Sequence, residues 1–163
     1  MDERKFEGKL WDHLESDRTV MLGLVGDAHG HSRPMTAMLD KQTRGTIWFV
    51  TSTDNVLAQQ AAAPVSGFCA FSSKGHDLFA TISGSLQTVL DREVLDRLWN
   101  PFIAAWFEGG KDDPKLMMLR FEPAPHTKRM QGLPHINGLR PAIKGDGAEA
   151  AILEVAGGQS ART

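Results

Sequence analysis

Up to Glu122 the chain alternates short apolar runs with clusters of glycine, proline, asparagine, aspartate and serine. Runs of this length, rich in β-branched and aromatic residues and bounded by turn formers, are typical of β-strands. Glycine 84 interrupts one of them, which indicates a bulge or a close approach of two backbones. The predicted strands are residues 19–25, 32–39, 46–52, 65–72, 78–86 and 116–122.

Apolar residues at three- and four-residue spacing predict a few short helices. Asp91 is a good N-cap for a helix that follows it, and Pro101 suits the first turn of another helical piece that runs to Trp106. Thr53 or Asp54 is the candidate cap of an Ala- and Gln-rich helix that precedes Pro64. The remaining predicted helices are residues 5–15 and 55–63.

The stretch 31–52 predicts two strands joined by a polar turn around Gly45. Arg33 lies inside the first strand, and the second ends in Thr51 and Ser52. If these strands pair, the guanidinium and the two hydroxyls lie close together, and such groups suit a phosphate. The alternative is an edge strand whose arginine extends into solvent.

Six strands with few helices predict a mainly β fold, a small antiparallel barrel with helices at its ends. The apolar pattern stops after residue 123, where glycine and proline become frequent. We therefore predict a folded domain over residues 1–131 and a Gly/Pro/Ala-rich tail, partly flexible, over residues 132–163.

Composition excludes several classes of protein. Eighteen basic and twenty acidic residues give a formal charge of −2, so no general attraction to nucleic acid or an anionic membrane is expected. No apolar stretch has transmembrane length, and the N-terminus lacks the apolar core of a signal peptide. A single cysteine, Cys69, excludes an internal disulfide, and together these features predict a cytoplasmic protein.

Few residues form a recognisable catalytic pattern. His29 and His31 have metal-like spacing, but no other histidine falls at a helpful interval, and we predict no metal site. Dinucleotide-binding and P-loop glycine patterns are absent. Trp106 leads into a glycine loop and can either close over a planar ligand or pack in the core, which is the default for all four tryptophans.

Four blocks of sequence resemble the general stress proteins of the FMN-binding split-barrel class, which is related to pyridoxamine 5′-phosphate oxidase. The blocks are SRPM from Ser32, GTIWFVTS from Gly45, LWNPFIAAWFEGGKDDP from Leu98 and, more weakly, SGSLQTVLDRE from Ser83. The resemblance implies a split β-barrel that forms a homodimer and binds FMN, or alternatively FAD, in clefts shared by two subunits.

The resemblance also assigns residues to the cofactor. Arg33, Pro34, Met35 and Thr36 are expected along the flavin ring and its phosphate tail, and Val50, Thr51 and Ser52 at the ring edge and ribityl phosphate. Trp106 and Gly110 are expected near the ring from the other subunit. No catalytic acid or base is assigned.

Two hypotheses follow for function. The first is a flavin-binding protein with the activity of a low-turnover oxidoreductase. The second is a non-enzymatic binding module that holds flavin weakly or takes another planar ligand, such as haem or a deazaflavin. The second rests on Leu57 and Glu108, which stand where relatives usually carry a phosphate-binding lysine and a proline. Leu57 lies either in the phosphate cleft or in the core under its helix.

Overall fold

The computed structural model describes residues 3–27, 30–76 and 78–124. The predicted domain boundary at residue 131 and the predicted tail lie outside the described residues. In chain order the elements are α1 (Glu3–Ser16), β1 (Thr19–Leu24), β2 (Arg33–Thr36), β3 (Met38–Leu39), β4 (Ile47–Ser52), α2 (Val56–Gln60), β5 (Val65–Ser72), β6 (Phe79–Thr88), α3 (Arg92–Leu98), α4 (Pro101–Ala104), a 3₁₀ turn (Gly110–Asp112) and β7 (Leu116–Pro123).

The strands form one antiparallel sheet in the order β2-β1-β5-β6-β7-β4-β3. Strands β2 and β3 lie at opposite ends of this order, although only Ala37 separates them in the chain. One continuous stretch therefore joins the two edges of the sheet and nearly closes it into a barrel. The predicted mainly β fold, a small antiparallel barrel with peripheral helices, is confirmed.

The predicted hairpin between residues 32–39 and 46–52 is wrong over its first half. Only Met38 and Leu39 pair with β4, while Arg33–Thr36 pair with β1, for example Met35 with Val20. The break falls at the fully buried Ala37, whose amide donates to the carbonyl of Arg18 at 2.6 Å. This non-local hydrogen bond diverts the strand from one sheet edge to the other.

The helix ends follow local capping. Asp91 caps α3 as predicted, accepting from the amide of Val94 at 3.1 Å. The predicted caps of α2 are wrong, because Asn55 is the cap and its Oδ1 accepts from the amide of Leu57 at 2.9 Å. At α4, Pro101 occupies the first turn and Asn100 accepts from the amide of Ile103.

Two apolar clusters flank the sheet. The larger cluster fills the barrel and includes Phe49 and Phe121, together with Leu14 from α1 and Leu57 from α2. The smaller cluster packs α3 and α4 against the outer face of β4 and β7, and it includes Trp48, Leu95, Ile103 and Met118. Strand β4 is therefore covered on both faces, as its continuous apolar run predicts.

Gly84 on β6 is the close backbone approach that its position predicted. A Cβ atom built there would overlap the carbonyl oxygen of Glu122 on β7 and lie 2.8 Å from the ring of Phe121. Its neighbours in the ladder are Gly67 on β5 and Pro123 on β7. Only a residue without a side chain lets these strands pack here. Among the described helices, none combines the length and the hydropathy needed to cross a membrane.

Candidate functional site

A cleft of about 770 Å³ lies where the closing strands meet helix α4. Residues of β2 and of the end of β4 form one side, and residues from Asn100 to Phe107 form the other. Closure of the barrel brings β2 beside β4, and packing of Ile103 and Phe107 on the outer face of β4 sets the position of α4. The described lining residues are Arg18, Pro34, Met35, Thr36, Met38, Val50, Thr51, Ser52, Asn100, Phe102, Ile103, Trp106, Phe107 and Lys115.

The fold brings together seven of the nine residues that the sequence singled out. These are Pro34, Met35, Thr36, Val50, Thr51, Ser52 and Trp106. Arg33 and Gly110 are not among the lining residues. Arg33 is exposed at the start of β2, and Gly110 lies in the 3₁₀ turn with a φ of 64°. Trp106 reaches this cleft from the same chain, so a second subunit is not needed to bring it there.

The polar lining is concentrated at the end of β4. The side-chain amide of Asn55 donates to Thr51 Oγ1 at 2.9 Å, which leaves the hydroxyl proton of Thr51 available to a ligand. Ser52, the next residue, is also partly buried. This end of the cleft can therefore offer two hydroxyl donors.

Trp106 and Phe102 are the most exposed large apolar side chains described, at 84% and 82%. The other tryptophans have the predicted core role: Trp48 is 2% exposed, while Trp11 and Trp99 pack partly buried against the two clusters. For Trp106 the default core interpretation is wrong. An aromatic surface this large, left facing a cleft, suits contact with a flat ligand or with a second protein.

The glycine loop after Trp106 forms a hydrogen-bonded turn. Asp113 accepts from the amides of Gly109 and Lys115 at 3.0 and 2.9 Å, and these bonds lower its pKa. Arg92 pairs with Asp112, whose side chain is 85% exposed, so this carboxylate lies in a solvated turn and not in the cleft.

Two cations in the cleft were missed by sequence reasoning. Arg18 precedes β1, and Lys115 stands one residue beyond the DDP of the third block. Neither lies in a motif. Their positions depend on the hydrogen bond from Ala37 to Arg18 and on the pairing of Leu116 with Ser52, both of which are non-local.

Comparison with known proteins places the fold in a family. Residues 5–127 match the family described as pyridoxamine 5′-phosphate oxidase like. The chain belongs to this family. It is 28% identical over 126 residues to general stress protein 26 of Bacillus subtilis (strain 168), across 76% of this chain and 87% of that protein.

Solved structures of other general stress proteins also resemble this chain. A general stress family protein from Xanthomonas campestris pv. campestris is 49% identical, with a TM-score of 0.71 over 82% of this chain and 97% of its own. The general stress FMN/FAD binding protein from Xanthomonas citri is 47% identical, with a TM-score of 0.70 over 80% and 96%. The split-barrel fold implied by the resemblance is thus confirmed, and this is a pyridoxamine 5′-phosphate oxidase-like chain of the general stress protein group.

One departure from the family pattern is resolved by packing. Leu57 is 2% exposed and belongs to the cluster inside the barrel, so its placement in a phosphate cleft is wrong. The exposed side chain in the first turn of α2 is Val56, at 41%. In this chain, position 57 therefore belongs to the core and not to the cleft.

The cleft of this pyridoxamine 5′-phosphate oxidase-like chain is lined mainly by apolar and hydroxyl side chains. Among the described lining residues there is no histidine, carboxylate or thiol. Cys69 is fully buried, and burial raises the pKa of its thiol, which makes it inert. In the described ranges no three His, Cys, Asp or Glu side chains are grouped to hold a metal, and His29 lies outside them. The arrangement suits binding and orientation more than proton transfer.

Proposed function

We propose that this protein binds a flavin, FMN or alternatively FAD, in the cleft between β2, β4 and α4. One observation carries the proposal: a single cleft collects the SRPM residues, the Thr51–Ser52 pair and the exposed Trp106. Its volume of about 770 Å³ falls in the range of ~300–1,000 Å³ typical of cofactor pockets. The Xanthomonas citri relative, an FMN/FAD binding protein by name, supports the same ligand class.

The residues present fit such a cofactor. Pro34, Met35 and Val50 offer apolar walls, and Trp106 and Phe102 offer flat aromatic surface for the ring. The hydroxyls of Thr51 and Ser52 can donate to phosphate oxygens. A bound flavin would supply redox chemistry, while the protein would bind it, orient it and keep water from its ring. Low-turnover oxidoreductase activity is the corresponding enzymatic proposal.

A non-enzymatic binding module is the second candidate. The composition of the cleft favours it, because the described lining residues provide no histidine or carboxylate as a general acid or base. Flavin or another planar ligand, such as haem or a deazaflavin, would then be held without turnover. Rapid reduction of the bound flavin by NADH or NADPH, followed by reoxidation over many cycles, would favour the enzyme.

The test is reconstitution followed by substitution. The purified protein should acquire the flavin absorbance bands on incubation with FMN and retain them through gel filtration. Trp106→Ala should weaken FMN binding about two- to twelvefold, since an aromatic contact contributes roughly 0.5–1.5 kcal/mol beyond its buried area. The matched control is Phe79→Ala, an exposed aromatic outside the cleft, which should leave FMN binding unchanged. A parent protein that remains colourless after reconstitution would contradict flavin binding.

A further inference from the structure

The charged side chains that line the cleft are all positive among the described residues. Arg18 and Lys115 are the only ionisable side chains among its described lining residues, so the cleft presents two positive charges and no negative one. Neither cation forms an ion pair with a described carboxylate. The charge of Lys115 helps to lower the pKa of Asp113. The carboxylate oxygens of Asp113, however, accept hydrogen bonds from the backbone amides of Gly109 and Lys115. The ammonium group is therefore available to an anion.

The two cations lie at different places along the cleft. The carbonyl of Lys115 accepts from the amide of Thr53 at 2.8 Å, and the next residue, Leu116, pairs with Ser52. The carbonyl of Arg18 accepts from the amide of Ala37. The residue after Ala37, Met38, pairs with Trp48 on β4. Trp48 and Ser52 are four residues apart on β4, a distance of about 13 Å at the rise of a β-strand.

The hydroxyl groups distinguish these two places. Lys115 shares its end of the cleft with two hydroxyl residues, Thr51 and Ser52, whereas the end at Arg18 has one, Thr36, which pairs with Thr19. An ammonium group beside two hydroxyl donors is a suitable set for a phosphate, which needs both charge and several hydrogen bonds. We propose that Lys115, with Thr51 and Ser52, forms the phosphate subsite of this cleft and makes it prefer FMN to riboflavin.

This inference rests on the proposed flavin function but assigns a residue that the motifs do not. The resemblance placed the phosphate near Arg33 and left the lysine position of relatives filled by an apolar residue. Lys115 supplies a cation from a different part of the chain, the residue just before β7. Leu57 can then remain a core residue, because Lys115 supplies the positive charge for the phosphate.

The experiment compares FMN with riboflavin, which has the same ring and no phosphate, by fluorescence titration of the full chain. Lys115→Met keeps the aliphatic stem and removes the charge. FMN affinity should fall about tenfold, the low end for a charged hydrogen bond because Lys115 is exposed. Riboflavin affinity should not change. Lys115→Arg should retain the preference for FMN, and added salt should reduce that preference in the parent.

Lys74→Met is the matched control, because Lys74 is an exposed lysine in the turn between β5 and β6. It should leave both affinities as in the parent. A preference for FMN that survives in Lys115→Met but disappears in Arg18→Met or Arg33→Met would assign the phosphate to another cation and overturn the inference. Equal binding of both flavins by the parent would overturn it while leaving flavin binding intact. Binding of neither flavin would overturn the proposed function as well.

Discussion

Asp40 is the described carboxylate with the most complete set of partners. Its side chain is 3% exposed, and both oxygens accept from Arg97, at 2.9 Å from Nε and 2.8 Å from Nη2. Thr43 donates to the same carboxylate and in turn accepts from the indole of Trp48. The bonds from Arg97 lower the pKa of Asp40 from 3.8 to about 2, against the opposing effect of burial. The pair ties the turn after β3 to α3.

This lowered pKa predicts a specific loss of stability in acid. The folded-state pKa lies below the unfolded value, so the contribution is present above about pH 4 and is lost as the pH falls towards about 2. A shift of this size corresponds to roughly 2 kcal/mol in the free energy of unfolding. Urea unfolding of the parent and of Asp40→Asn should differ most at neutral pH, with the two curves converging in acid.

The control for Asp40 is Asp96→Asn, which breaks the ion pair between Asp96 and Lys111. That pair has side chains 63% and 38% exposed, and surface pairs contribute only about 0–1 kcal/mol. At neutral pH we expect Asp40→Asn to cost about 1.5–3 kcal/mol, the range for hydrogen bonds to a charged group. Parallel stability curves for the parent and Asp40→Asn between pH 2 and 7 would contradict the assignment.

Only some of the residues that line the cleft could be predicted from the sequence. Seven of the nine residues predicted to contact the cofactor line one cleft, because they sit in contiguous blocks that keep their spacing wherever the fold places them. Lys115 and Arg18 could not be found this way, since each reaches the cleft through one backbone contact to a distant strand. Arg33, a charge inside an apolar stretch of sequence, is exposed on β2 and is not among the lining residues of the cleft.

At the scale of elements, helix α2 shows whether packing or the family resemblance gives the correct position of Leu57. Leu57 and Val56 are adjacent in the same turn, yet one is 2% and the other 41% exposed. Leu57→Lys should therefore destabilise the fold by about 2–5 kcal/mol, because a longer side chain does not fit the packed core and an unpaired buried charge is costly. Val56→Lys should change the free energy of unfolding by no more than about 0.5 kcal/mol. Thermal unfolding of the two variants provides the comparison.

The same variants also decide between the two positions considered for Leu57, the phosphate cleft and the core. If Leu57→Lys folds like the parent and tightens FMN but not riboflavin, its side chain reaches the phosphate and the packing described above is wrong. Reduced stability without a gain in FMN affinity would support the core position.

Most elements were predictable because their signals are local. Asp91, Pro101 and the turn formers mark boundaries through capping and backbone preferences that act within a few residues. The strand 32–39 was not predictable as two strands, because the break at Ala37 contains no glycine or proline. It depends on the partner strands, β1 on one side and β4 on the other, and a sequence pattern does not encode which edge a strand joins.

At the scale of the whole molecule, a homodimer remains a prediction, but its basis changes. Strand β4 offers no apolar face to a partner, since both of its faces are covered within the chain. The exposed apolar surface lies elsewhere. Phe102 and Trp106 stand at the cleft, and Met21 and Phe79 lie on the outer face of β1 and β6.

The rim of the cleft is the better candidate for the interface. Aromatic side chains are enriched at the buried centres of interfaces, and Phe102 and Trp106 are about twice as exposed as Met21 and Phe79. A dimer formed there would cover the cleft and exclude water from a bound ring. We expect an interface above ~1,200 Å² in total, as stable complexes require.

Light scattering at micromolar concentration should return twice the mass of the chain for the parent. Phe102→Asp should give a monomer and weaken FMN together with it, because a charge at the centre of an apolar interface is left without a partner. Met21→Asp, the matched change on the outer face of β1, should remain a dimer with parental FMN affinity. A monomeric parent would remove the shared cleft altogether. Dissociation by Met21→Asp with Phe102→Asp still dimeric would move the interface to the outer face of β1 and leave the cleft complete within one chain.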